Sequence, residues 1–133
     1  MRKTVGLLYT GGTIGCDGSP LVPVSGQKFR AMVAAIPWFN NGIVRLAADE
    51  IACCIEWTGR PADSSDLMPL DWLSMARWVL ERYDRYDGFV ILHGTDTMSW
   101  SASACCRGFQ NWLYLPVHSC LLRIREAMRC RMF

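Results

Sequence analysis

Lysine is nearly absent from this chain: Lys3 and Lys28 are the only two in 133 residues, and neither falls within a motif. Long apolar runs are missing too. None approaches the roughly 20 residues that span a bilayer, which argues against a transmembrane helix. Met1-Arg2-Lys3 leads straight into a strand pattern, without the apolar region and cleavage site of a secretory leader, so the expected location is cytoplasmic. Metal-ligand spacing is lacking as well. The seven cysteines include no Cys-x-x-Cys pair, Cys53-Cys54 and Cys105-Cys106 are adjacent, and His93 and His118 stand at no ligand spacing from them. Reduced thiols serving as small core residues are the expectation. There is no internal repeat and no low-complexity segment.

What is present is globular. Hydrophobic residues make up 51% and charged residues 20%, which separates the chain from disordered sequences, and its length bounds it to one domain. It is organised around Leu7-Leu8-Tyr9-Thr10-Gly11-Gly12-Thr13-Ile14-Gly15. Residues 4 to 9 have the length and composition of a buried strand, and the glycines at its carboxyl end let the backbone turn sharply. Ligands of open α/β sheets bind at such ends. The hydroxyls of Thr10 and Thr13 can be presented there to a substrate, and successive backbone N–H groups can hold an anion or an oxyanion. Alone, the Gly-Gly pair is better read as a tight strand-to-loop turn. A second cluster is built the same way: Gly88-Phe89-Val90-Ile91-Leu92 runs into His93-Gly94-Thr95-Asp96-Thr97-Met98. If the two strands are parallel neighbours, both clusters meet in one crevice.

The intervening chain alternates helix and strand. Residues 26 to 36 carry Phe29, Met32, Val33 and Ile36 at helical spacing and are stopped by Pro37. Strands are expected over 43 to 46 and 51 to 57, followed by a loop that contains Asp63-Ser64-Ser65-Asp66. Residues 69 to 86 predict a helix with Leu73, Ala76, Leu80 and Tyr83 on its inner face. After the Gly88 strand a further helix begins at Thr97. This order predicts an α/β fold with a doubly wound, mostly parallel sheet.

The first cluster, Thr10-Gly11-Gly12-Thr13-Ile14-Gly15, resembles the first signature of the bacterial-type L-asparaginases, most closely their cytoplasmic type I branch. His93-Gly94-Thr95-Asp96-Thr97-Met98 resembles the second. Pro23-Val24-Ser25-Gly26 and Asp63-Ser64-Ser65-Asp66 match at the expected order and spacing, so the resemblance covers residues 1 to about 104. It implies an asparaginase N-terminal domain, incomplete at its C-terminus. It also implies hydrolysis of L-asparagine to L-aspartate and ammonia, as in asparagine catabolism, through a threonine nucleophile and an acyl-enzyme. No metal or organic cofactor is implied, and no nucleic-acid or membrane partner; the intact family forms homodimers or homotetramers.

Residue by residue, Thr13 matches the threonine that attacks the side-chain amide carbon. A hydroxyl needs a neighbouring base to become that nucleophile. Thr95 and Asp96 match a second catalytic set, which the family completes with a lysine further along the chain. Both also match substrate-binding positions, where Asp96 holds the α-ammonium group. Ser64 and Ser65 match the positions that meet the α-carboxylate. Without the resemblance, Ser64 and Asp66 read as turn and cap residues ahead of Pro69, Asp96 as a cap of the next helix, and His93 as a hydrogen-bonded structural histidine. A third reading, a phosphate-binding turn at Thr13, lacks the Lys-Ser/Thr and the spaced glycines of nucleotide-binding motifs.

Two departures stand against activity of the chain as written. The mobile-loop tyrosine of type I relatives would fall near Leu21, and the catalytic lysine and the smaller C-terminal domain lie beyond residue 133. The tail also differs from the rest. Residues 1 to 104 hold nine Lys/Arg against eleven Asp/Glu, whereas residues 105 to 133 hold five Arg against Glu126 alone, with four of the seven cysteines. Cys105-Cys106-Arg107-Gly108-Phe109-Gln110-Asn111 can be encoded so that a one-base shift reads Leu-Leu-Ser-Gly-Leu-Ser-Lys, a helix continuation. In that frame Pro116 to Ala127 yields a family-like loop. We therefore divide the chain into a region 1–104 like the asparaginase N-terminal domain and an out-of-frame tail 105–133. The alternative to an active enzyme is a truncated, inactive fragment with residual ligand binding. On this reading the tail supplies no strand beside the Gly88 strand, leaving an apolar edge and a chain that folds poorly.

Overall fold

The computed structural model describes residues 2–37, 39–40, 42–46, 49–107 and 120–124. Its strands are β1 (Arg2–Gly11), β2 (Cys16–Asp17), β3 (Val22–Pro23), β4 (Phe39–Asn40), β5 (Ile43–Leu46), β6 (Asp49–Ala62), β7 (Gly88–Leu92) and β8 (Cys120–Ile124). Its helices are α1 (Gly26–Ala34), α2 (Pro69–Glu81) and α3 (Met98–Arg107). The expected α/β architecture is present. Six strands form one sheet in the order β4-β5-β6-β1-β7-β8, and β2 and β3 make a separate two-stranded hairpin. Parallel pairing holds at the centre, β6-β1-β7, and the flanking pairs are antiparallel.

The alternation of β1 and β7 explains why helices lie on both faces. Leu8, Phe89 and Ile91 join Met75, Trp78 and Val79 of α2, Tyr86 and Ala102 of α3 in one core cluster. Tyr9 and Leu92, one residue on, join Phe29 of α1 and Val24 in another, with Leu7, Val90 and Ile55 packed against it. Successive side chains of a strand point to opposite faces, so two contiguous apolar runs feed two cores. Tyr9 stacks on Phe29 with ring centroids 4.0 Å apart.

Helix α2 sits rotated from the expected face. Leu73 and Leu80 are exposed, at 54% and 56%, and the buried positions are Met75, Trp78 and Val79; Tyr83 does pack against the core. The reason is a carboxylate. Glu56 of β6 accepts from Trp78 Nε1 at 2.9 Å, from Arg82 Nε at 3.0 Å and from the Tyr86 hydroxyl at 3.3 Å, and Arg82 Nη2 lies 2.8 Å from it. Trp78 and Arg82, four apart, must both face the sheet to reach it. Likewise Phe29 of α1 is buried but Met32 is exposed. Partial burial pushes the Glu56 carboxyl up, and the bonds from Trp78, Arg82 and Tyr86 with the Arg82 charge outweigh it, so the group is held below its ordinary value. Its stabilising effect is therefore present above the ordinary carboxylate range and lost as pH falls through the lowered value. Glu56→Gln is expected to cost about 1–3 kcal/mol near neutrality, read by urea unfolding. The difference from wild type should shrink in acid; a gap independent of pH would contradict the charge's role.

The edge expected to be bare is occupied. β8 lies antiparallel to β7, pairing Gly88 with Ile124 through Leu92 with Cys120. Helix α3 also runs on to Arg107. The tail thus supplies the neighbour that the expectation of poor folding denied it, antiparallel to the parallel centre. The remaining tail residues, including most of the shifted-frame stretch, lie outside those described.

Candidate active site

The site is built from strand ends in matched register. β1 and β7 pair with Tyr9 beside Leu92, so Thr10-Gly11 and His93-Gly94 leave the sheet side by side. On the other flank Gly11 is opposite Ala62, which brings the Asp63-Ser64-Ser65 loop to the same end. Thr10 secures the first pair: its buried hydroxyl donates to the Leu92 carbonyl at 2.7 Å. Thr10 is therefore a staple between strands, and of the two hydroxyls expected in the first loop only that of Thr13 is presented to solvent.

The three loops touch through backbone. Gly12 has φ of 85°, a conformation that side chains resist, and a Cβ there would fall 2.6 Å from Gly94 N. A Cβ on Gly94 would fall 2.5 Å from Ser64 Oγ. These close approaches let the three loops converge. Thr97 completes the contact by donating its hydroxyl to the Ser64 carbonyl at 2.8 Å. That residue was not singled out in the sequence, although its place one position before α3 is a usual one for a hydroxyl that bonds backbone.

Thr13 lies in a single 3-10 turn, Thr13–Gly15, and is exposed. Thr95 and Asp96 are exposed in the loop before α3, and the Thr95 hydroxyl lies 3.4 Å from Asp96 Oδ1. Asp96 sits two residues ahead of α3. Ser64 is buried at 4% exposure against Gly94, and Ser65 is exposed. Ser65 is also held locally: its N–H and its hydroxyl both donate to Asp63 Oδ1, at 2.9 and 2.7 Å. Bonds from the Ser65 hydroxyl and N–H keep the exposed Asp63 carboxyl below its ordinary range. The cap ahead of α2 is neither Ser64 nor Asp66; Asp71 reaches back to accept from Met68 N at 2.7 Å.

His93 is fully buried, and its Nδ1 lies 2.6 Å from the Gly94 carbonyl. Burial pushes its imidazole below the ordinary value, so it is neutral at pH 7 and donates from Nδ1. This agrees with the structural reading of His93. Two clefts lie elsewhere, one against Trp57 and α1, the other beside Glu56 and Tyr86, and neither is lined by a motif residue. No helix among the described residues is long and apolar enough to cross a membrane.

A doubly wound α/β domain with hydroxyls and a carboxylate on three loops at the carboxyl ends of parallel strands is of the open-sheet class, whose ligands bind at such ends. More narrowly, the chain belongs to the asparaginase family: the family model "Asparaginase, N-terminal" matches residues 4–113. It is similar to L-asparaginase 1 of Escherichia coli (strain K12), with 39% identity over 105 residues, covering 77% of this chain and 29% of that protein. Among solved structures it is similar to L-asparaginase I from Vibrio cholerae, at TM-score 0.64 and 40% identity, covering 79% of this chain and 30% of that one. The thermostable L-asparaginase from Thermococcus kodakarensis aligns at TM-score 0.54 and 28% identity over 78% and 29%. The type I branch expected from the motifs is the one named in the Escherichia coli and Vibrio cholerae relatives. The chain spans less than a third of the length of the relatives it matches.

Proposed function

We propose that this chain supplies the nucleophile-bearing part of an L-asparaginase active site, which hydrolyses L-asparagine to L-aspartate and ammonia in asparagine catabolism. The observation that carries the reading is the convergence of the loops bearing Thr13, Thr95-Asp96 and Ser64-Ser65 through the Gly12–Gly94–Ser64 contacts. Thr13 Oγ attacks the side-chain amide carbon, giving a tetrahedral intermediate whose collapse releases ammonia and leaves an ester on Thr13. Water then attacks that ester, regenerates the hydroxyl and releases aspartate. Backbone N–H groups of the glycine loops are the donors available to the developing oxyanion. Thr95 and Asp96 form the second set. Asp96 pairs with the α-ammonium group, and Ser64 and Ser65 face the α-carboxylate. The reading needs a lysine from sequence outside these residues, a cytoplasmic setting, and the homodimer or homotetramer of the intact family.

The test is ammonia release from asparagine by an extended form, in which the frame is restored after codon 104 and the chain runs to the length of its relatives. Failure of that form to turn over asparagine would refute the reading. Within it, Asp96→Asn keeps the shape of the side chain and removes its charge. It is expected to weaken asparagine by about 1.5–3 kcal/mol, roughly 10- to 150-fold in Kd, measured by calorimetry. Unchanged affinity would reduce Asp96 to a loop residue.

A further inference from the structure

We propose that Tyr9 is a positioning residue for Thr13, its phenol clamping together both ends of the loop that follows the 3-10 turn. The inference rests on the assignment of Thr13 as nucleophile. The chain leaves β1 after Gly11, turns through Thr13–Gly15, makes the hairpin β2-β3 and returns at Val24. Residues 17 to 22 of that excursion are all exposed. Val24 packs in the core beside Tyr9 and Phe29, and the Tyr9 side chain ties both ends of the base together. The Tyr9 hydroxyl is shared between the Gly15 carbonyl at 3.0 Å and the Val24 carbonyl at 3.2 Å, and Gly15 O accepts from Val24 N at 2.8 Å.

Tyr9 suits the task because it cannot move. It is fully buried, stacked on Phe29, and one residue from the staple at Thr10. A Cβ on Gly15 would fall 2.3 Å from its hydroxyl oxygen, so the turn lies directly against the phenol. Burial, the nearby Cys16 thiol and the Val24 bond together leave its pKa at about 12, so the phenol stays a donor through neutral pH. At the upstream end Gly12 O accepts from Gly15 N at 3.0 Å and from Cys16 Sγ at 3.3 Å. Thr13 therefore sits between two fixed points, the Gly12–Gly94 contact before it and the Tyr9 clamp after it. The tip is held otherwise, by the exposed ion pair of Asp17 with Lys28 at 2.6 Å. Such pairs hold little, so the tip is held more weakly than the base.

Tyr9→Phe deletes one oxygen and leaves the stack. Amide hydrogen exchange on residues 1–133 is expected to speed up about tenfold or more at Gly15 and Val24, with β1 and β7 amides unchanged. Gly15→Ala, which drives a methyl into the phenol, should give the same local pattern. Lys28→Ala should speed exchange at Gly18 but leave Gly15 and Val24 as they were. Unchanged exchange at Gly15 and Val24 in Tyr9→Phe would overturn the clamp, and so would uniform acceleration across the sheet. In the extended form, kcat per folded molecule should fall about tenfold with KM within a few-fold. An unchanged kcat in an active extended form would overturn the link to Thr13. Loss of ammonia release already in the wild type would refute the asparaginase reading and leave the exchange result to judge the clamp.

Discussion

Thr13→Ala in the extended form is expected to lower turnover of asparagine by on the order of 10⁴-fold or more while leaving its affinity within a few-fold. The two halves of that expectation have different physical sources. Removing Oγ removes the atom that forms the bond, and a factor of that size is about 5–6 kcal/mol of barrier. On the proposed reading affinity rests elsewhere, on Asp96 and the Ser64-Ser65 loop; that loop is held by contacts with Gly94, Thr97 and Asp63 and not by Thr13. Stability should hardly change, because Thr13 is exposed and the turn is fixed by its neighbours Gly12 and Gly15. Ammonia release, calorimetric binding and urea unfolding check the three parts separately. A variant that still released ammonia at the wild-type rate would remove Thr13 from the mechanism.

The parts of this fold that could be read in advance are those where a local pattern has one outcome. Gly88 to Leu92 is apolar throughout and bounded by punctuation, and β7 has those bounds. The matched register of β1 and β7 follows from two similar strand-to-loop motifs in parallel neighbours. Helix faces were less legible. Leu73 and Leu80 are as apolar as Met75 and Val79, and the choice between them was made by Glu56 through Trp78 and Arg82, which lie 22 and 26 residues from it in sequence. No helical period contains that information. The site shows the same division. The roles proposed for Thr13, Thr95, Asp96, Ser64 and Ser65 come from motif resemblance, whereas Thr10, Thr97 and Tyr9, which fix the loops that carry them, act through carbonyls of residues far along the chain. Their signal was a polar group at a strand or helix end, which many residues share. β8 was missed because its partner strand, not its own composition, makes it a strand: Cys120–Ile124 pairs along the whole of β7.

Residues 1–133 alone are expected to release no ammonia from asparagine above the uncatalysed background, even where they fold. On the proposed reading, residues 1–133 by themselves offer no lysine near Thr95 to act as the base. Lys3 lies at the opposite end of β1, roughly 25 Å of strand away from Gly11, and Lys28 is engaged with Asp17 on the far side of the hairpin. Asp96 Oδ1 lies 3.4 Å from the Thr95 hydroxyl, a long contact between two exposed side chains and a poor geometry for taking its proton. The crevice is open as well. Thr13, Thr95, Asp96 and Ser65 are all exposed, so donors aimed at an oxyanion would act in a medium close to water, where each is worth a fraction of its value in an enclosed site. Exposed Leu70, Leu73, Leu80 and Trp100 on α2 and α3 add surface that favours self-association over a closed site. The comparison to make is between residues 1–133 and the extended form at equal concentration, with asparagine well above its Kd. Turnover by the short chain equal to that of the long one would show that neither the lysine nor the remaining domain is needed, and the roles given to Thr95 and Asp96 would have to be reassigned.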